Sequence, residues 1–125
     1  MLHGRRVLIV EDESMIAMEL SDIVEGHSGR VVGPFRTNRD ALIALEPDRL
    51  GHRPIDAAIL DLNLADGEVT PTAERLREAG VPILICTAGT LPRAMRPMKP
   101  VLLIHRKPIR VSRLVADLSA LCGAA

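Results

Sequence analysis

The chain has 125 residues, with 16 basic and 16 acidic side chains, 47% hydrophobic residues and Phe35 as its single aromatic. At this length one domain can bury roughly two-thirds of the unfolded chain's surface, so a core needs neither disulfides nor a structural metal. A formal net charge of zero, with both signs interspersed, argues against a general phosphate-backbone or anionic-membrane binder, and the missing aromatics exclude a stacking platform for single-stranded nucleic acid.

Cys86 and Cys122 stand apart from each other and from any histidine cluster, which matches neither a zinc site nor a disulfide framework. That pattern points to a reducing interior, and a cytoplasmic location is expected. Arg5 and Arg6 precede an apolar run, but Glu11, Asp12 and Glu13 cut it far short of a secretory leader. No run approaches the roughly 18 apolar residues of a membrane span. With no linker, repeat or low-complexity tract, residues 1–125 are expected to form one domain with no output domain on this chain.

In chain order, Arg6 to Val10 reads as a strand. Ser14 to Glu25 has helical period, with Ile16, Leu20, Ile23 and Val24 on one face and Gly26 as a stop. Arg30 to Phe35 is a weaker candidate strand, and Gly33-Pro34 places it at an edge. Thr37 can cap a helix running to about Glu46. Ile55 to Leu60 is a strand, Thr70 and Pro71 read as the cap and first turn of a helix ending at Gly80, and Val81 to Cys86 is a strand. Prolines 92, 97 and 100 then leave room for little more than one helical turn before a strand at Val101 to Ile104. A last helix starts near Ile109, with Leu114, Val115, Leu118 and Leu121 on one stripe. The principal runs are continuously apolar, as in strands buried on both faces, so the class is α/β with a doubly wound five-stranded parallel sheet and a short or missing fourth helix.

Ligands of such sheets bind at the carboxyl ends of the strands. There the chain places Glu11, Asp12 and Glu13 after the first strand, Asp61 and Asn63 after the third, Thr87-Ala88-Gly89 after the fourth and Lys107-Pro108 after the fifth. Crowded carboxylates need raised pKa values or a cation, and an oxygen-only donor set without His or Cys selects Mg²⁺. A lysine and a threonine on the same rim suggest phosphoryl chemistry, in which a carboxylate can itself be the nucleophile. Taken singly, Glu11 and Glu13 also read as helix caps or solvated loop residues, Thr87 as a turn residue and Lys107 as surface. Lys107 is nevertheless one of two lysines against 14 arginines.

The segments Val7-Leu8-Ile9-Val10-Glu11-Asp12-Glu13, Ala57-Ala58-Ile59-Leu60-Asp61-Leu62-Asn63-Leu64 and Arg106-Lys107-Pro108, spaced around Thr87, resemble the receiver domain of bacterial response regulators, the CheY-like superfamily. The resemblance covers essentially the whole chain and implies a flavodoxin-like strand order 2-1-3-4-5. It also implies that Glu11 and Asp12 bind Mg²⁺ with Asp61 and the backbone carbonyl of Asn63. Asp61 would then be the phosphoacceptor, with Thr87 and Lys107 contacting the phosphoryl group and a cis Lys107–Pro108 bond. The partner would be a sensor histidine kinase or phosphotransfer protein, docking on the first helix, where Met15 and Met18 are read as core and partner-facing packing. The chain itself would be no enzyme beyond Mg²⁺-dependent self-phosphorylation and autodephosphorylation, and a monomer or weak dimer with no nucleic-acid or membrane partner.

The family's usual switch aromatic is Ile104 here, so an aromatic rotamer switch is impossible, and His105 beside it is expected to be exposed on the output face. Asp61-Leu62-Asn63-Leu64 and the shortened fourth helix look similar to single-domain receivers paired with HWE-type histidine kinases. That subgroup is named for a Phe-Ala-Thr-Gly-X-Tyr motif, of which Ile85-Cys86-Thr87-Ala88-Gly89-Thr90 keeps only the threonine. The main rival is a haloacid-dehalogenase-like phosphatase, whose general acid two residues after the nucleophile is Asn63 here. A nucleotide-binding module lacks its glycine-rich loop. A receiver-like module that binds a partner without phosphorylation is the remaining alternative.

Overall fold

The computed structural model describes residues 2–47, 54–98 and 102–123. In chain order the elements are β1 (Arg6–Val10), α1 (Ser14–Gly26), β2 (Arg30–Phe35), α2 (Asn38–Ala44), β3 (Ala57–Leu60), β4 (Asn63–Leu64), β5 (Gly67–Glu68), α3 (Thr70–Glu78), β6 (Ile83–Thr87), a 3-10 helix (Arg93–Met98), β7 (Leu102–Arg106) and α4 (Val111–Leu121). The large sheet has the order β2-β1-β3-β6-β7, all pairs parallel, which is the flavodoxin-like order that the resemblance implied. Pro100, Val101 and His52 lie outside the described residues.

Side chains alternate across the strands, so each strand feeds two cores. Val7, Ile9, Ala57, Ile59, Leu84 and Cys86 pack with Leu20, Ile23 and Val24 of α1 and Leu114 and Leu118 of α4. Leu8, Val10, Ala58, Leu60, Ile83 and Ile85 pack with Ala41 of α2, Ala73 and Leu76 of α3, and Met95 of the 3-10 helix. Each fully buried Leu, Ile or Val contributes about 1.5–3 kcal/mol. With no tyrosine or tryptophan, many aliphatic side chains carry what a few rings would otherwise supply.

Several expected boundaries shift for local reasons. Thr37 does cap α2, its Oγ1 accepting the Asp40 N–H at 3.0 Å, but the helix ends at Ala44. Thr70 is the first residue of α3 and not its cap; Val69 holds the cap position, with its own N–H donated to the Leu62 carbonyl at 2.8 Å. Gly26 belongs to the last turn of α1, and the left-handed residue that follows is Ser28, at φ 66°. Among the described residues the crossover between β6 and β7 holds only the 3-10 helix, with Pro97 inside it, in keeping with the proline spacing. Met95, fully buried, anchors that short crossover to the core.

The β4–β5 hairpin is unforeseen from sequence. It follows the loop after β3, and its turn residue Asp66 reaches the start of α2. There Oδ1 accepts the Asn38 N–H at 2.8 Å and Oδ2 the Arg39 N–H at 3.1 Å. Asn38 in turn donates to the Glu68 carbonyl at 2.8 Å and accepts the Thr72 hydroxyl at 2.6 Å, joining α2, the hairpin and α3. The bonds that Asp66 accepts from Asn38 and Arg39 lower its pKa, the Asn38 backbone N–H contributing most.

Gly33 sits at the register shift between β1 and β2 with φ 104°, and a Cβ there would lie 2.9 Å from the Ile9 carbonyl oxygen. Strained φ and backbone overlap both oppose a side chain. Gly33→Ala is expected to cost about 1–3 kcal/mol and lower the melting temperature by roughly 4–10 °C, read by calorimetry. An unchanged melting temperature would contradict this account of the edge strand.

Candidate functional site

Register alone brings the strand-end residues together. Val10 pairs with Leu60, so Glu11 and Asp61 leave neighbouring strands side by side. Leu60 pairs with Ile85, which sets Thr87 on the next strand, and Thr87 pairs with Arg106, the residue before Lys107. The Glu11 N–H is held by the Phe35 carbonyl at 2.8 Å, the Asp61 N–H by Val10 at 2.9 Å and the Lys107 N–H by Thr87 at 3.0 Å. These backbone bonds hold the rim in position before any ligand arrives.

Carboxylate oxygens of Glu11, Asp12 and Asp61 all lie within 4.8 Å of one another. Lys107 Nζ is 2.9 Å from Glu11 Oε1 and 3.6 Å from Asp61 Oδ2. Glu11 is fully buried, which excludes the solvated-loop reading of that residue. Its Oε2 also accepts the Glu13 N–H at 3.2 Å, and Asp61 Oδ1 accepts the Leu62 N–H at 2.8 Å. Thr87 is buried at the end of β6, its Oγ1 accepting the Gly89 N–H at 2.9 Å. Asn63 opens β4 two residues beyond Asp61 and is exposed.

The electrostatics show what this cluster lacks. Burial and the neighbouring Asp61 push the Glu11 carboxyl up to about 7, against the opposing pull of Lys107. Burial pulls the Lys107 ammonium down, but the hydrogen bond and charge of Glu11 and the charges of Asp61 and Glu13 more than offset it, so its pKa is raised. One lysine is insufficient for the carboxylates around it. An oxygen-only donor set with uncompensated negative charge fits a hard divalent cation.

Other residues fall where sequence put them only in part. Ile104 packs against the core on the α2–α3 face of the sheet. His105 is buried, contrary to the exposure expected: alternation along β7 turns it toward α4, where Nε2 lies 2.7 Å from Asp117 Oδ2. Met15 and Met18 are exposed, so the expectation that they pack in the core does not hold. Cys86 and Cys122 are buried free thiols, and burial pushes Cys86 to about 12, outside the reactive range. The Lys107–Pro108 bond is cis, as the resemblance implied. Sequence reading assigned no role to Arg106, whose guanidinium donates to the Gly89 carbonyl across the mouth of the site. Only its place in Arg106-Lys107-Pro108 hinted at it.

A five-stranded parallel sheet of this order, with three acids, a hydroxyl and a lysine at its carboxyl rim, defines a class, and the chain belongs to the response regulator receiver family. It is 34% identical to SdrG from Sphingomonas melonis Fr1, covering 97% of this chain and 98% of that one with a TM-score of 0.74. Over 85 residues, 66% of the chain, it is 38% identical to the phyllosphere-induced regulator PhyR of Methylorubrum extorquens. The chain spans 30% of the length of that curated relative. A response regulator receiver protein from Sinorhizobium medicae WSM419 shares the fold at a TM-score of 0.81 and 18% identity, covering 99% of this chain and 98% of that one. No family model matches the chain. Among the described residues, no helix is long and apolar enough to cross a membrane.

Because Glu11 takes up a proton more readily when folded than when unfolded, its stabilising contribution is complete below about pH 4.5 and is lost as pH rises toward about 7. In metal-free buffer the melting temperature of Glu11→Gln is therefore expected to gain on wild type between pH 5 and about 7.5. Parallel melting curves across that range would contradict the assignment.

Proposed function

We propose that the chain is a phosphoacceptor receiver, taking a phosphoryl group on Asp61 from the phosphohistidine of a sensor histidine kinase or phosphotransfer protein. What supports this most directly is the position of Lys107 Nζ between Glu11 and Asp61 at the rim of an oxygen-only acidic cluster. Glu11, Asp12 and Asp61, with the Asn63 backbone carbonyl, would hold Mg²⁺, which when bound supplies positive charge for the phosphoryl oxygens.

In the reaction a carboxylate oxygen of Asp61 forms a bond to phosphorus as the bond from phosphorus to the donor imidazole nitrogen breaks. The imidazole leaves with the electron pair and takes a proton, and Asp61 becomes an acyl phosphate. Asp61 Oδ1 is oriented by the Leu62 N–H, leaving Oδ2 toward Lys107. Lys107 moves from Glu11 to a phosphoryl oxygen, a short excursion because Glu11 and Asp61 are adjacent. The Thr87 hydroxyl donates to another phosphoryl oxygen and so gives up its bond with Gly89, which turns phosphorylation into a change of loop shape. The partner kinase engages α1 through the exposed Met15 and Met18. Beyond accepting and losing this group the chain performs no turnover chemistry of its own.

Incubation with acetyl phosphate and Mg²⁺, followed by intact-mass measurement, is expected to add one phosphoryl group to wild type and none to Asp61→Asn. Lys107→Ala is expected to slow the gain by about 100-fold. A mass gain that persists in Asp61→Asn, or that ignores Mg²⁺, would overturn the assignment.

A further inference from the structure

The turn between β2 and α2 holds two parts of the acidic rim at once. At its start the Phe35 carbonyl accepts the Glu11 N–H at 2.8 Å, and the next carbonyl, that of Arg36, accepts the Ala65 N–H at 3.3 Å. Two residues further on, the N–H groups of Asn38 and Arg39 are bound by the Asp66 carboxylate. The buried Asn38 also donates its side-chain amide to the Glu68 carbonyl at 2.8 Å and accepts the Thr72 hydroxyl at 2.6 Å. The β4–β5 hairpin is thus tied to this turn through Ala65, Asp66 and Glu68, although each of its strands is only two residues long. A hairpin so short does not hold its own shape in water. The ties to α2 fix it relative to Glu11.

Pairing inside the hairpin decides which of its backbone groups are left over. Val69 donates to the Leu62 carbonyl, so Asn63 and Glu68 form the unbonded pair of the antiparallel ladder, whose backbone groups turn outward from both strands. On the β5 side the Glu68 carbonyl meets Asn38. On the β4 side the outward carbonyl is that of Asn63, two residues beyond Asp61.

We propose that Asn38 and Asp66 are positioning residues that preset the Asn63 carbonyl for a small octahedral cation, and so set the preference of the acidic rim for Mg²⁺ over Ca²⁺. This role rests on the receiver reading above, which makes that carbonyl a metal ligand. Mg²⁺ demands near-ideal octahedral geometry at about 2.1 Å, whereas Ca²⁺ accepts a looser shell of oxygens at about 2.3–2.6 Å. A carbonyl held in place therefore favours the smaller ion, and one on a loosened hairpin gives up that advantage. Asp66 lies outside the acidic cluster and its carboxylate is engaged with α2, so its effect on the cation passes through the hairpin.

The test is an NMR titration of isotope-labelled protein with magnesium chloride and, separately, calcium chloride. It follows the amides of Asp12, Asp61 and Leu64, the last sharing a peptide unit with the Asn63 carbonyl. Mg²⁺ is expected to move all three in wild type. Asn38→Ala and Asp66→Ala are each expected to weaken Mg²⁺ about tenfold and Ca²⁺ by no more than about twofold. Asn38→Ala removes no charge, and the charge lost in Asp66→Ala acts on both divalent ions alike, so the ratio of the two affinities reads geometry. Thr37→Ala is the control: it deletes the acceptor of the Asp40 N–H at the start of α2 without touching the hairpin, and is expected to lower the melting temperature but leave Mg²⁺ affinity unchanged. Should Asn38→Ala fail to fold, Asp66→Ala, at an exposed position, decides alone. Wild-type Mg²⁺ affinity in the variants, equal losses for the two ions, or an equal loss in Thr37→Ala overturns the positioning role. So does a wild type that binds Mg²⁺ while the Leu64 amide stays still. A wild type that binds no Mg²⁺ overturns the receiver reading, and this role with it.

Discussion

Carboxylates within 4.8 Å of one another, one of them fully buried, are an arrangement a protein keeps only against electrostatic resistance. The raised pKa of Glu11 is the sign of that resistance, and Lys107 relieves only part of it. The rest of the molecule holds the cluster in place. Parallel register sets Glu11 beside Asp61 and Thr87 beside Arg106, and a core on each face of the sheet keeps the strands from sliding. Free energy gained by burying aliphatic side chains offsets the repulsion at the rim, and the repulsion is what makes the rim receptive to a cation.

The same view explains how one chain can be both fixed and switchable. Glu11, Asp61 and Lys107 are pinned through backbone hydrogen bonds to neighbouring strands. The turn from Thr87 to Gly89 is held by side chains instead, the Thr87 hydroxyl on one side and Arg106 on the other. Side-chain contacts exchange partners more readily than a sheet ladder does, so under the proposed function a phosphoryl group at the rigid site would be read out through a loop with alternative bonding. Ile104, without an aromatic ring, packs against the core that also holds Met95.

Much of this was legible in the residues themselves. Continuous apolar runs such as Val7 to Val10 and Ala57 to Leu60 specify strands buried on both faces, and once the sheet is parallel its carboxyl ends must share a rim. Thr37 announced its helix by local chemistry, and the prolines announced the broken crossover. What stayed hidden depends on contacts between distant segments. The pairing of His105 with Asp117 needs the packing of β7 on α4, and a histidine next to a charged strand end looks exposed until that packing is known. The bonds from Asp66 to Asn38 and Arg39 span 27 and 28 residues, and a two-residue strand such as β4 carries no periodic signal. Arg106 reads as an ordinary surface arginine because the carbonyl it binds belongs to another strand's loop.

The central claim is that the acidic cluster is incomplete without a divalent cation, and it is tested most directly by the melting temperature of the protein at pH 8 as Mg²⁺ is titrated. Binding to the folded state alone raises stability with the logarithm of free Mg²⁺. The account predicts a rising melting temperature for wild type that is abolished in Asp12→Asn, whose side chain belongs to the cluster. A wild-type melting temperature indifferent to Mg²⁺, or an Asp12→Asn variant that responds as wild type does, would contradict it.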